Sequence, residues 1–130
     1  MVSGGRELIA GAIRDPSVGP MLMFGLGGTF VEALGDVTFR VAPIHRLDAA
    51  DMVRGFRGFK ILCAIRGMPA ADLTALEDVL LRLSRLAIDL PEIAELDLNP
   101  LLAFADGAVA VDARVMLAPE AASAERPAHG

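Results

Sequence analysis

Apolar residues recur at intervals of three and four positions along one long stretch in the second half of the chain. The recurring positions are Leu73, Leu76, Val79, Leu80, Leu83, Leu86 and Leu90. Because an α-helix completes a turn in 3.6 residues, this spacing brings them onto one face. Charged residues fall between them, and Pro91 follows the last. The pattern predicts an amphipathic helix over residues 71–90 that ends at the proline.

Shorter apolar runs, separated by turn-forming residues, occupy the first third of the chain. They predict four strands, at residues 7–14, 21–24, 29–34 and 37–42. Glycine and proline residues lie between these runs and favour turns. A weaker amphipathic stretch follows and predicts a helix over residues 49–59, with Asp48 as its N-cap.

Residues 93–116 alternate in a way that is typical of a β-hairpin with one apolar face. If Asp106 and Gly107 form a two-residue type I′ turn, Asn99 opposes Arg114 across the hairpin. One face then carries apolar side chains, which are Leu98, Leu102, Phe104, Val109, Val111 and Val115. The other face carries polar side chains, which are Asp97, Asn99, Asp112 and Arg114.

Two of these polar residues are candidate metal ligands. On this register Asn99 and Asp112 are diagonal cross-strand neighbours, about 5–8 Å apart at Cβ. A hard divalent cation could bind two such oxygens and keep several waters. The alternative is a solvated polar face on an ordinary antiparallel hairpin. A three-residue loop would turn one strand over and separate the polar set.

Runs of strands, then helices, then strands indicate an α+β fold. We expect a mostly antiparallel sheet with two helices on one face. Residues 1–117 form the predicted domain, and residues 118–130, rich in Ala, Pro, Glu and Ser, are predicted to be a disordered or linker tail.

Composition excludes several classes of function. The net charge of −5 and the absence of Trp and Tyr argue against nucleic-acid binding. The single cysteine rules out an internal disulfide, and two histidines make a Cys/His zinc site untenable. No apolar run approaches the roughly 18–20 residues that span a bilayer. We therefore expect a cytoplasmic protein that does not enter a membrane.

A second group of candidate residues lies near the glycine-rich segment at 25–28. Backbone N–H groups there could face a phosphate, although an ordinary turn is the alternative. Glu32 is predicted to share a face with apolar residues, so it must be paired, hydrogen-bonded or shifted in pKa. Pairing with Arg40 or Arg46 is the simpler possibility.

Several short motifs occur in a fixed order along the chain. They are GRELIAG at 5–11, Asp-Pro at 15–16, Gly-Pro at 19–20, FGLGG at 24–28, Val-Glu at 31–32, Arg-Gly at 66–67, ELDLNPL at 95–101 and VDAR at 111–114. Together they resemble the ATP-grasp domain of the NDP-forming (ADP-forming) acyl-CoA synthetases. That family includes ADP-forming acetate–CoA ligase and the related β-subunit of succinyl-CoA synthetase. The resemblance covers residues 1–117 and matches only the C-terminal ATP-grasp subdomain.

The resemblance implies roles for individual residues. Asn99 and Asp112 match the positions that hold the Mg²⁺ of the nucleotide, and Asp97 matches the acidic residue near the phosphoryl-transfer centre. Gly27, Gly28 and Glu32 are weaker candidates for binding at the phosphate end. The implied cofactor is Mg²⁺ with ATP.

The resemblance also implies a reaction and the partners that it needs. An acid, ATP and CoA would give acyl-CoA, ADP and phosphate through a phosphohistidine on another domain. The N-terminal ATP-grasp subdomain and the CoA-binding and ligase domains would be partners, since this chain resembles none of them. We expect the chain alone to be inactive, as a truncated or excised piece. The alternative is a non-catalytic oligomerising or regulatory module that dimerises through an apolar surface.

Overall fold

The computed structural model describes residues 5–27, 37–64, 67 and 69–118, without the side chain of Arg57. Its strands are β1 (Arg6–Asp15), β2 (Gly19–Leu26), β3 (Val37–Val41), β4 (Ile93–Phe104), β5 (Gly107–Ala110) and β6 (Ala113–Leu117). Its α-helices are α1 (Arg46–Gly55) and α2 (Leu73–Asp89), with a 3₁₀ helix over Arg57–Leu62 between them. The predicted α+β fold is confirmed.

All strand pairs are antiparallel. The sheet has the order β3-β2-β1-β4-β5, and β6 also pairs with β4. The long strand β4 therefore has β1 on one side and both β5 and β6 on the other. The predicted strand at 29–34 lies outside the described residues, and so does the predicted tail apart from Ala118.

Helix α2 begins and ends within two residues of its prediction. Asp72 is its N-cap and accepts a hydrogen bond from the Ala75 N–H at 3.1 Å. The predicted bounds of the first helix were wrong. Helix α1 starts at Arg46 because His45 is the N-cap, and the His45 N–H donates to the Asp48 carboxylate at 2.8 Å. Asp48 is thus in the first turn and not at the cap.

The core lies between the sheet and the two α-helices. Alternate residues of β1, namely Leu8, Ala10 and Ala12, are fully or almost fully buried there. The helices contribute Ala49, Met52, Val53, Leu76, Leu80, Leu83 and Ala87. Since all of these belong to one cluster, both helices cover the same face of the sheet, which we call the covered face.

Charged groups on the covered face are bonded. Arg6 is 9% exposed, and its guanidinium donates to the carbonyls of Ile61 (2.8 Å), Cys63 (3.2 Å) and Pro69 (2.8 Å). Among the described residues, every buried side-chain nitrogen or oxygen has a hydrogen-bond partner.

A buried carboxylate joins the two helices. Glu77 of α2 forms ion pairs with Arg46 at 3.3 Å and Arg54 at 2.9 Å. Arg46 also contacts Asp78 at 2.8 Å, and that hydrogen bond is the main cause that raises the pKa of Arg46. This network fixes α1 against α2.

No helix in the described part of the chain is both long enough and apolar enough to span a bilayer.

Candidate functional site

The other face of the sheet, which we call the open face, has neither α-helix packed on it. Residues of β1 that point there alternate with the core residues and include Ile9, Gly11 and Ile13. Three of its apolar side chains are partly exposed, namely Ile13 at 40%, Phe39 at 43% and Val41 at 50%, whereas Ile9 is buried. A sheet face of this kind is suited to packing against another group.

Asp97 lies on the open face, one strand in from the edge strand β6. It pairs with Gly11 of β1 on one side and with Arg114 of β6 on the other. A Cβ on Gly11 would come within 2.5 Å of the Leu96 carbonyl oxygen, so only glycine permits this close approach of β1 and β4. A surface cavity of about 400 Å³ is lined by Glu95, Asp97, Arg114, Val115 and Met116.

Asn99 and Asp112 are directly opposed, since the Asn99 N–H donates to the Asp112 carbonyl at 3.2 Å. The prediction opposed Asn99 to Arg114 and made Asp112 its diagonal neighbour. That cross-strand register was therefore wrong by two residues. The reason is the turn: Phe104 pairs with Gly107, so the two-residue loop is Ala105–Asp106. A shift of two residues preserves side-chain parity. Counted from Leu98 and its partner Ala113, both Asn99 and Asp112 fall on the open face with Asp97.

The single apolar face predicted for the hairpin was wrong. The pairing of β4 with β1 shifts by one residue between Leu8 and Ala10, and Asn99 and Pro100 lie at this bulge. The alternation restarts after it, so Leu101 and Ala103 are buried in the core. The predicted set is thereby divided. Leu98 and Val115 belong to the covered face, whereas Leu102, Phe104 and Val109 belong to the open face.

The donor chemistry of Asn99 and Asp112 suits a hard cation. Both residues are exposed, and one Asp112 carboxylate oxygen accepts from the Ala113 N–H at 2.9 Å. The other oxygen has no hydrogen bond within the described ranges. Those ranges hold no cluster of three or more His, Cys, Asp or Glu side chains that could bind a metal. A site here would have one amide and one carboxylate ligand, which fits a Mg²⁺ that keeps waters.

Gly25 and Leu26, which were predicted to begin a loop, instead belong to β2, which continues to Leu26. The Gly27 N–H donates to the Glu7 carbonyl at 3.0 Å, so it is already bonded within the sheet. A Cβ on Gly27 would lie 2.9 Å from the Leu8 backbone, which explains the glycine by packing. Gly28 and Glu32 lie outside the described residues. Binding of a cofactor by these three residues stays a prediction.

Two residues of this face were assigned no role in the sequence analysis. Arg114 was placed on the polar face but given no role, although it is the basic member of the row. Gly11 was not singled out at all. A glycine in the interior of a strand signals a close backbone approach, and that signal was available in the sequence.

A protein family described as ATP-grasp domain matches residues 1–117. Among curated proteins, the chain is 52% identical over 120 residues to acetate–CoA ligase [ADP-forming] I of Archaeoglobus fulgidus, covering 92% of this chain and 18% of that protein. It is 51% identical over 117 residues to acetate–CoA ligase [ADP-forming] I subunit beta of Pyrococcus furiosus, covering 90% and 50% respectively. The chain thus spans half or less of these relatives.

A solved structure has the same architecture. The acetyl-coenzyme A synthetase 1 of Ca. Korarchaeum cryptofilum, in complex with coenzyme A and Mg-AMPPCP, superposes with a TM-score of 0.86 at 47% identity. The match covers 91% of this chain and 55% of that chain.

Proposed function

The chain belongs to the ATP-grasp family, with ADP-forming acyl-CoA synthetases as its relatives, and from this premise we propose that it forms the metal and phosphate side of their nucleotide site. Asn99 and Asp112 would hold Mg²⁺, and Asp97 would lie beside the phosphoryl group that is transferred. The open face would be completed by a second subdomain, so that ATP is enclosed between two parts of the complete domain.

The proposed reaction of the complete enzyme joins an acid to CoA at the expense of ATP. ATP would phosphorylate a histidine on another domain. The phosphohistidine would pass its phosphate to the acid, and CoA would cleave the resulting acyl phosphate. ADP and phosphate leave as the other products. The partners are therefore the N-terminal ATP-grasp subdomain and the CoA-binding and ligase domains.

Phosphoryl transfer requires positioning and charge neutralisation more than covalent chemistry by the protein. A bound Mg²⁺ would supply charge neutralisation at the phosphates. The chain's own contribution is a rigid platform. The β4–β6 pairing and the Asn99–Asp112 backbone bond keep the two ligands side by side. The close approach at Gly11 keeps the Asp97 strand against β1.

One observation carries the proposal, which is the direct opposition of Asn99 and Asp112 beside Asp97. An ordinary solvated hairpin face does not need an amide and a carboxylate opposed at a bulge. The bulge is also meaningful, because β-bulges are common next to active sites, where they redirect side chains.

Paramagnetic broadening tests the metal site even if nucleotide binding is weak. Mn²⁺ prefers the same oxygen ligands as Mg²⁺ and broadens nearby amide signals in NMR spectra. With Mn²⁺ and ATP, we expect broadening at residues 97–99 and 112–114, and its loss in Asp112→Ala. Asp106→Asn, in the exposed turn of the same hairpin, is the control and should behave as wild type. Broadening at other residues only, or none, would contradict the proposal.

Self-association through exposed apolar residues, and a cytoplasmic location, stay predictions. Sedimentation velocity with and without Mg-ATP addresses the first. Edge strand β6 is exposed along its whole length, with Val115, Met116 and Leu117 each more than half exposed. A tight dimer that binds no nucleotide would favour an interaction module over the proposed function.

A further inference from the structure

Arg114 occupies a position on the open face that its neighbours do not explain. It lies directly opposite Asp97, lines the cavity of about 400 Å³ and is exposed. Within the described residues, neither Asp97 nor Arg114 forms an ion pair within 4.0 Å. The Arg114 guanidinium therefore does not neutralise the Asp97 carboxylate across the two strands.

Most other described arginines are bonded to protein groups. Those with a hydrogen bond or ion pair are Arg6, Arg14, Arg40, Arg46, Arg54 and Arg85. Arg14, for example, donates to the carbonyls of Ala87 at 2.7 Å and Ile93 at 3.2 Å. Among arginines whose side chains are described, Arg114 and Arg82 are the two without such a bond, and only Arg114 is on the open face.

The positions around Arg114 suit a phosphate bound to the predicted metal. Asp112 directly precedes β6 and is two residues from Arg114, hence roughly 6–7 Å away along an extended chain, and counted from Ala113 both fall on the open face. Asp97 and Asn99 have the same spacing on β4. The two rows form a quadrilateral with the metal ligands at one end and the Asp97–Arg114 pair at the other.

The charges of this quadrilateral require a cation for an anionic ligand. Glu95 and Asp97, which line the cavity, would repel a phosphoryl dianion together with the nearby Asp112, and Arg114 is the basic residue in the cavity lining. A guanidinium presents a planar set of donors that matches two phosphate oxygens.

We propose that Arg114 binds the terminal phosphoryl group of the nucleotide, between Asp97 and the metal ligands. The inference rests on the proposed function, because it places that nucleotide on the open face. The inference goes beyond the proposed function by naming the residue that distinguishes a nucleoside triphosphate from a diphosphate at this site.

The test compares ATP with ADP, both with Mg²⁺, binding to the full chain, using NMR titrations of wild type, Arg114→Gln, Arg114→Lys and the control Arg82→Gln. We expect Arg114→Gln to weaken ATP binding about 10- to 100-fold and ADP binding less than about threefold. Arg114→Lys should recover part of the ATP affinity, since it keeps the charge without the planar donors. Arg82→Gln should change neither.

The outcomes separate the two proposals. If the wild type binds neither nucleotide, the proposed function fails and the role of Arg114 with it. If the wild type binds ATP but Arg114→Gln binds it equally well, only the Arg114 inference is overturned. Equal weakening of ATP and ADP would also overturn it, because the guanidinium would then not contact the terminal group.

Discussion

Two charged groups on the helix-covered side of the sheet, Arg6 and Glu77, are bonded to protein groups, whereas two on the open face, Asp97 and Arg114, have no such bond to a described residue. Arg6 donates to three carbonyls and Glu77 receives two arginines. Asp97 and Arg114 are opposed but form no ion pair with a described residue. The difference agrees with the proposal that the covered face stabilises the fold and the open face binds a ligand. Mutations on the covered face should therefore lower the free energy of unfolding, whereas mutations on the open face should leave it nearly unchanged.

The largest loss of stability is expected from truncating a core leucine. Leu80 of α2 is fully buried, and Leu80→Ala should lower the free energy of unfolding by about 2–5 kcal/mol. Leu86→Ala on the same helix removes a side chain that is 41% exposed, and should change it by less than about 1 kcal/mol. Urea unfolding followed by circular dichroism measures both. Equal effects would show that α2 does not pack as described.

Loss of the three hydrogen bonds of the Arg6 guanidinium should cause the next largest loss of stability. Arg6→Met leaves the carbonyls of Ile61, Cys63 and Pro69 without their donor, at a cost of about 2–4 kcal/mol. Arg82→Met makes the same chemical change at an exposed position and should be within about 0.5 kcal/mol of wild type. The same unfolding experiment applies. If Arg6→Met leaves the free energy of unfolding unchanged, these hydrogen bonds do not hold the segment between Ile61 and Pro69.

Gly27 has two possible explanations, which are close packing against the Leu8 backbone and binding of the nucleotide. Gly27→Ala places a methyl group 2.9 Å from the Leu8 backbone and should destabilise the fold by about 1–3 kcal/mol. At Gly55 an added Cβ meets Thr38 at an ordinary 3.5 Å, so Gly55→Ala should be neutral or stabilising by up to about 1 kcal/mol. If Gly27→Ala keeps its stability but loses nucleotide affinity, Gly27 serves the ligand and packing is not the reason for it.

The smallest effect on stability is expected at Asp97 on the open face. Asp97→Asn keeps the shape of the side chain and removes a charge that no described residue pairs with. The free energy of unfolding should change by less than about 0.5 kcal/mol. Asp106→Asn in the turn is the matched control. A cost above about 1.5 kcal/mol for Asp97→Asn alone would show that this carboxylate stabilises the sheet, and the distinction between the faces would be lost.

The helical prediction held because it depends on local periodicity. Helix α2 matches its apolar repeat closely, since leucines at that spacing have one way to reach a core. Helix α1 was misplaced because Asp48 was predicted as the N-cap, whereas its carboxylate accepts from the His45 N–H and the residue lies in the first turn. For the glycine-rich segment, composition predicted a loop, but pairing along β1 extended the strand through Leu26.

What the sequence by itself determined is the parity of the polar residues. Asp97 and Arg114 share a face under either register, because a shift of two residues preserves side-chain parity, and Asn99 and Asp112 join them when counted from Leu98 and Ala113. The tertiary structure decided which residues are opposed. The turn at Ala105–Asp106 moved the register by two, and the bulge against β1 sent Leu101 and Ala103 into the core. Register and bulges depend on how β4 fits its neighbours, and one strand's sequence does not contain that fit.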